Sequence, residues 1–174
     1  VILDDADPQA AAALAVQAGF INSGQACIAG TRILVPESRR AVFEDALAAV
    51  VRAVRSGDPR DAATTVGPMV SERQWQRVQG YITTGIAEGA RLLAGGEGRP
   101  EGLQKGWFVR PTLFTGVRND MTIAREEIFG PVLCVIGYRD EAEAVAIAND
   151  TPYGLSALVI GADEAHATAV ARQI

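Results

Sequence analysis

One histidine, two cysteines and two methionines are all that 174 residues contain of the side chains most used in metal and redox chemistry. With His166 alone, on a polar stretch near the C-terminal end, a Cys/His hydrolase or transferase pair has little support and no metal site is assigned. The two cysteines sit in unlike settings, Cys27 among glycines and polar residues and Cys134 inside a β-branched run, so a disulfide framework is not expected. No apolar run approaches the roughly 18 residues that cross a bilayer, and no basic segment followed by an apolar one opens the chain. A membrane partner is therefore not expected, and a cytoplasmic location is. Lys and Arg number 16 against 21 Asp and Glu, interleaved rather than blocked, for a net charge of -5. Such a surface offers no basic stripe to neutralise phosphates, which argues against a nucleic-acid partner.

What remains is an ordinary globular composition, 48% hydrophobic and long enough for one well-buried core. Asp7-Pro8 supplies an N-cap and a first-turn proline for an alanine-rich helix that runs to Gly19. The breakers Asn22-Ser23-Gly24-Gln25 follow, then the β-favouring Thr31 to Val35, closed by Pro36. Between Glu37 and Arg55, Val42, Phe43, Ala46, Leu47, Val50, Val51 and Val54 recur at helical spacing and predict one apolar stripe. Trp75, Val78 and Ile82 predict a further helix over about 71–88, followed by a short strand at Arg91 to Ala94. A glycine-rich loop over 96–105, anchored by Trp107 and Phe108, leads to an extended segment at Pro111 to Phe114. Val132 to Ile136 has no polar alternation, as expected of a strand covered on both faces. Helix is predicted over 140–149, a second buried strand over Leu155 to Ile160, and a last helix from Asp163. Strands alternating with helices at this spacing predict an α/β fold, a mainly parallel sheet flanked by helices, as one domain over 1–174. Val1 is not preceded by Met and the last helical pattern stops on apolar Ile174, so the sequence reads as a domain truncated at both ends.

Cys27 lies between a helix and a strand, flanked by Gly24 and Gly30, where little side-chain bulk would obstruct a substrate. The bland reading of such a residue is a small buried one. The absent histidine is no obstacle if the thiolate attacks an aldehyde, because the adduct can collapse by giving up hydride and needs no acid to expel an amine or alcohol. The backbone N–H of Cys27 is one donor available to the oxyanion formed on attack. Cys134, mid-strand, is read as packing.

The run Phe20-Ile21-Asn22-Ser23-Gly24-Gln25-Ala26-Cys27-Ile28-Ala29-Gly30-Thr31-Arg32 resembles the cysteine signature of aldehyde dehydrogenases. About 100 residues later, Glu126-Glu127-Ile128-Phe129-Gly130-Pro131-Val132 resembles the cofactor motif of the same family. Gly67-Pro68-Met69-Val70, Gly106 to Leu113 and Asn149 to Leu155 also resemble family segments, so the likeness covers nearly the whole chain. The resemblance implies that Cys27 is the nucleophile in NAD(P)-dependent oxidation of an aldehyde through a thiohemiacetal and a thioester. It implies that Glu127 accepts hydrogen bonds from the nicotinamide ribose of NAD or NADP and that Phe129 packs beside it, with Glu126 structural. Gln74 matches a ribose-contacting position, and Arg77 stands where many members carry lysine. That departure keeps a positive donor but changes its geometry.

The resemblance also implies parts outside this sequence. The family's glutamate base, its oxyanion-hole asparagine and its dinucleotide-binding domain would precede Val1, and a strand used in homo-oligomer formation would follow Ile174. The isolated chain is therefore expected to be inactive, with cofactor held mainly by the missing domain. Two alternatives stay open: a coenzyme A acylating relative, which differs in what accepts the thioester, and a non-catalytic structural module of the same fold. The identity of the aldehyde, and NAD against NADP, are not encoded in these residues.

Overall fold

Asp7 accepts a hydrogen bond from the Ala10 N–H at 2.8 Å, and Pro8 stands at the first helical position. The chain therefore enters α1 (Pro8–Phe20) where both residues favour it. The computed structural model describes residues 1–174. After α1 come β1 (Arg32–Pro36), α2 (Arg40–Ala53), α3 (Glu72–Ala87), β2 (Arg91–Ala94), β3 (Thr112–Thr115) and α4 (Thr122–Arg125). The order ends with β4 (Val132–Tyr138), α5 (Glu141–Asn149) and α6 (Glu164–Ala171). Ser71, Asp140 and Asp163 cap α3, α5 and α6 through side-chain oxygens, each satisfying N–H groups that a helix start leaves free.

The four strands form one sheet in the order β1-β4-β3-β2. β4 runs parallel to β1, with Arg32 opposite Cys134, and parallel to β3, with Thr112 opposite Val132; only the edge pair β2-β3 is antiparallel. The mainly parallel sheet read from the sequence is the one observed. Alternation along the strands divides the core into two layers. Ile33, Val35, Leu133 and Val135 pack with Ala11, Ala15, Phe43 and Leu47 of α1 and α2. Leu34, Cys134 and Ile136 turn the other way, onto Val78 and Ile82 of α3 and Ile123 of α4. No helix is long and apolar enough to cross a membrane.

Three details depart from the pattern reading. Val42 lies on the solvent side of α2, half exposed, because the helix proper starts at Arg40 and its buried stripe is Phe43, Ala46, Leu47 and Val51. The turn of helix α4 was not expected; it is too short to generate a periodic signal. Most importantly, Leu155–Ile160 does not form a buried strand. Only Ile160 pairs, with Ile2, and Leu155 and Leu158 are 71% and 47% exposed. An apolar run becomes a buried strand only where neighbours cover it on both faces, and this segment pairs along its backbone only with the short Val1–Leu3 stretch, as through Leu3 N–H to Ile160 O at 2.8 Å.

On the far side of α3, the Arg99 guanidinium lies 4.6 Å from the Trp75 ring centroid and 5.4 Å from that of Trp107. Trp75 Nε1 donates to Phe108 O at 2.8 Å, so these aromatics fasten the 96–105 loop to the helix as the sequence suggested.

Leu133 is fully buried at the centre of the sheet whereas Val42 is not. Leu133→Ala is expected to cost about 2–5 kcal/mol of unfolding free energy and Val42→Ala less than about 0.5 kcal/mol, measured by urea denaturation.

Candidate active site

Beyond Phe20 the chain turns through a left-handed stretch in Ile21–Gly24, with positive φ at Asn22 (49°), Ser23 (60°) and Gly24 (73°). Asn22 tolerates this region better than most residues and stabilises it locally: its Nδ2 donates to Gln25 O at 3.0 Å. Ser23 and Gln25 tie the turn to a distant segment. Ser23 Oγ accepts from Gly67 N–H at 2.9 Å, and Gln25 Oε1 accepts from Val70 N–H at 2.9 Å. Gln25 Nε2 also donates to Pro68 O at 3.4 Å. The turn therefore delivers Cys27, exposed and free, from a clamped base.

The second loop runs from Glu126 to Pro131, between α4 and β4. Phe129 has φ of 60°, an uncommon conformation for an aromatic residue, and it is half-buried rather than part of the core. Gln74 Nε2 donates to Phe129 O at 2.8 Å and to Ile128 O at 3.2 Å. Arg77 donates to Glu127 O at 2.9 Å and to Tyr81 Oη at 3.1 Å. Tyr81 Oη donates in turn to the Glu126 carboxylate at 2.7 Å. Burial, then the bond to Glu126, pushes the Tyr81 hydroxyl above its ordinary pKa, so it remains a donor at neutral pH.

The two loops touch through glycine. A Cβ at Gly24 would stand 2.1 Å from Gly130 O, and one at Gly130 would stand 2.6 Å from Val78 Cγ2. Cys loop, Glu127 loop and α3 are thus stacked at backbone distance.

Cys27 and Glu127 line one cleft of about 640 Å³, together with Thr31, Arg32, Tyr153 and Leu155. The Glu127 side chain is exposed, and its backbone N–H donates to Tyr153 Oη at 3.3 Å. Its carboxylate takes part in none of the chain's ion pairs, which leaves both oxygens free as acceptors for a pair of hydroxyls. Arg32 is held by Asn119 Oδ1 at 2.6 Å and by the Ala148 carbonyl at 3.0 Å. Arg125 pairs with Asp150 at 3.0 Å and keeps its carboxyl below the usual range. This network fixes the 149–153 wall of the cleft. Cys134 lies inside the sheet, where burial pushes its thiol up to about 12. The only histidine, His166, is exposed on α6 and faces Glu141 at 2.6 Å. No group of three or more His, Cys, Asp or Glu side chains comes together that could hold a metal ion.

Of the five residues singled out from sequence, Cys27 and Glu127 share the cleft. Phe129, Gln74 and Arg77 gather behind it, on the loop and on the helix that carries it. Sequence reasoning missed Tyr81, although its place four residues after Arg77 put the pair on one helix face. It also missed Tyr153 and the clamping roles of Ser23 and Gln25, whose partners lie more than 40 positions away and leave no local signal.

An α/β layer whose one exposed thiol lines the same cleft as a free carboxylate defines a thiol-centred α/β domain. The fold matches that of solved aldehyde dehydrogenases. A cysteine-to-alanine mutant of aldehyde dehydrogenase C from Pseudomonas syringae, in complex with NAD+ and octanal, superposes with TM-score 0.97 at 48% identity. An aldehyde dehydrogenase of Mycobacterium tuberculosis, complexed with NAD+, gives TM-score 0.96 at 50% identity. Each comparison covers 99% of this chain and 36% of the other. A Staphylococcus saprophyticus protein whose name places it among the aldehyde dehydrogenases is 52% identical over all 174 residues, which span 37% of its length. The model of the aldehyde dehydrogenase family matches residues 1–174, and the chain belongs to that family.

Two outcomes follow from this geometry. Gly24→Ala would place a side chain against Gly130 O in a left-handed backbone, and it is expected to destabilise the chain by at least about 1–3 kcal/mol in urea unfolding. Because folding raises the Cys134 pKa from 9.0 to about 12, its contribution is fully present below pH 9, where both states hold the proton. It is lost as pH rises towards 12, since the unfolded chain ionises first. Unfolding free energy measured between pH 8 and pH 11 should fall less steeply in Cys134→Ala than in the wild type.

Proposed function

We propose that this chain is the cysteine-bearing catalytic domain of a longer, NAD(P)-dependent aldehyde dehydrogenase, with Cys27 as its nucleophile. The observation that carries this reading is the convergence of an exposed Cys27 and an unpaired Glu127 on one cleft within an aldehyde dehydrogenase fold. The neighbours named above were solved with NAD+, and one of them with octanal and a cysteine replaced. That chemistry is consistent with a thiol acting on an aldehyde.

In this mechanism the Cys27 thiolate forms a C–S bond to the aldehyde carbon, and the carbonyl oxygen becomes an alkoxide. The Cys27 N–H, beyond the clamped turn, is the donor assigned to that oxygen. Glu127 would accept hydrogen bonds from the nicotinamide ribose hydroxyls, and Phe129 would pack against the same moiety. Loss of hydride from the adduct carbon, for which a bound nicotinamide would supply the acceptor, leaves a thioester on Cys27. Cleavage of the thioester by water releases a carboxylic acid and restores the thiol.

The carboxylates lining the cleft are Glu126 and Glu127, the first engaged by Tyr81 and the second assigned to ribose, so the water-activating base lies elsewhere in the enzyme. The dinucleotide-binding domain is likewise assigned to the remaining length, given that the chain spans 37% of its relative. Accordingly, the 174-residue chain alone is expected to be alkylated at Cys27 by iodoacetamide without producing NADH from aldehydes. In the full-length enzyme, Cys27→Ala is expected to abolish aldehyde oxidation, and Glu127→Gln to weaken NAD+ binding about tenfold or more, the range of a lost charged hydrogen bond. Full activity of Cys27→Ala in steady-state assays would overturn the assignment, and product analysis with and without coenzyme A decides what accepts the thioester.

A further inference from the structure

Four consecutive residues of the second loop are each held from α3. Tyr81 donates to the Glu126 carboxylate at 2.7 Å, Arg77 to Glu127 O at 2.9 Å, and the Gln74 amide nitrogen to Ile128 O at 3.2 Å and Phe129 O at 2.8 Å. The holders stand at positions 74, 77 and 81, spacings of three and four that put them on one helix face. Arg77 is braced on that face, with its guanidinium 5.3 Å from the Tyr81 ring centroid.

The loop has need of such holding. Phe129 keeps a left-handed backbone, which an aromatic residue maintains only where its surroundings overdetermine it. The Glu127 N–H finds only Tyr153 Oη, at 3.3 Å. The Gln74 amide nitrogen lies within hydrogen-bond distance of both loop carbonyls, so its donors are engaged by the loop.

We propose that Gln74, Arg77 and Tyr81 are positioning residues, a latch on α3 that sets the Glu127 carboxylate and the Phe129 ring for the nicotinamide ribose. This rests on the cofactor role of Glu127 and Phe129 proposed above. At position 77 one terminal guanidinium nitrogen donates both to Glu127 O and to Tyr81 Oη while the guanidinium lies over the Tyr81 ring, a stacking that a planar arginine group makes and an ammonium does not reproduce.

The test separates the latch from the cofactor reading. Hydrogen exchange followed by mass spectrometry on this chain reads the loop without any ligand, and NAD+ titration of the full-length enzyme reads binding. Gln74→Ala is expected to speed exchange over 127–130 about fivefold or more, the effect of one or two lost hydrogen bonds, while the β4 amides of Cys134 and Ile136 keep their rates. Gln74→Glu keeps the side chain's size but sets acceptors against two carbonyls, and should loosen the loop further; it stands in if the alanine variant folds poorly. Arg77→Ala should act like Gln74→Ala, with partial recovery in Arg77→Lys.

NAD+ affinity should fall about fivefold in Gln74→Ala, and by less than half that factor when Glu127→Gln is already present, because the latch acts through the loop. Unchanged exchange in Gln74→Ala, or equal losses of affinity in the two backgrounds, would overturn the proposal. If Glu127→Gln binds NAD+ like the wild type, the ribose assignment fails, and the exchange rates still decide whether the latch exists.

Discussion

A single close approach of two backbones, Gly24 against Gly130, holds the candidate site together. Neither position can carry a side chain there, since the first Cβ would stand 2.1 Å from a carbonyl oxygen and the second 2.6 Å from Val78. Separate sets of hydrogen bonds flank this contact. Ser23 and Gln25 secure the cysteine turn to the 67–70 segment, and Gln74 and Arg77 secure the Glu127 loop to α3. Remove the contact and both loops keep their own anchors but lose their common frame. A reaction that needs a thiol and a cofactor group at fixed separation could not then be assembled by either loop alone.

The sheet supplies this frame in an unusual sense. Ligands of open parallel sheets commonly sit beyond the carboxyl ends of the strands. Here the cysteine turn leads into β1 and the Glu127 loop leads into β4, and these strands are parallel neighbours with Arg32 opposite Cys134. The two loops therefore enter the sheet side by side at the amino ends. Their spacing is set by one strand-to-strand distance, the stiffest length in the molecule, with Val132 to Ile136 buried behind it.

Much of this was legible in the residues. Asp7-Pro8, Ser71, Asp140 and Asp163 announce helix starts because capping is a local event, and Val132 to Ile136 announces a covered strand because its composition permits nothing else. Cys27 and Glu127 were found by motif, and nothing in their local sequence would reveal that they share a cleft. The failures have one physical origin. Leu155–Ile160 is as apolar as a buried strand, but burial is a property of neighbours, and here Ile2 alone pairs with it. Val42 fits the helical period until the helix start at Arg40 fixes the phase. Tyr81 and Gln25 act across long sequence separations, which periodicity cannot register.

The Arg99 stack has a practical reach beyond packing. Trp75 and Trp107 are the only two indoles in the chain, and both lie against the same guanidinium, with Trp75 next in sequence to Gln74. Emission from this protein is therefore the voice of one small neighbourhood rather than of the whole fold. A shift in its wavelength or quenching reports on α3 and the 96–105 loop, and a fluorescence melt would follow that corner rather than the sheet directly.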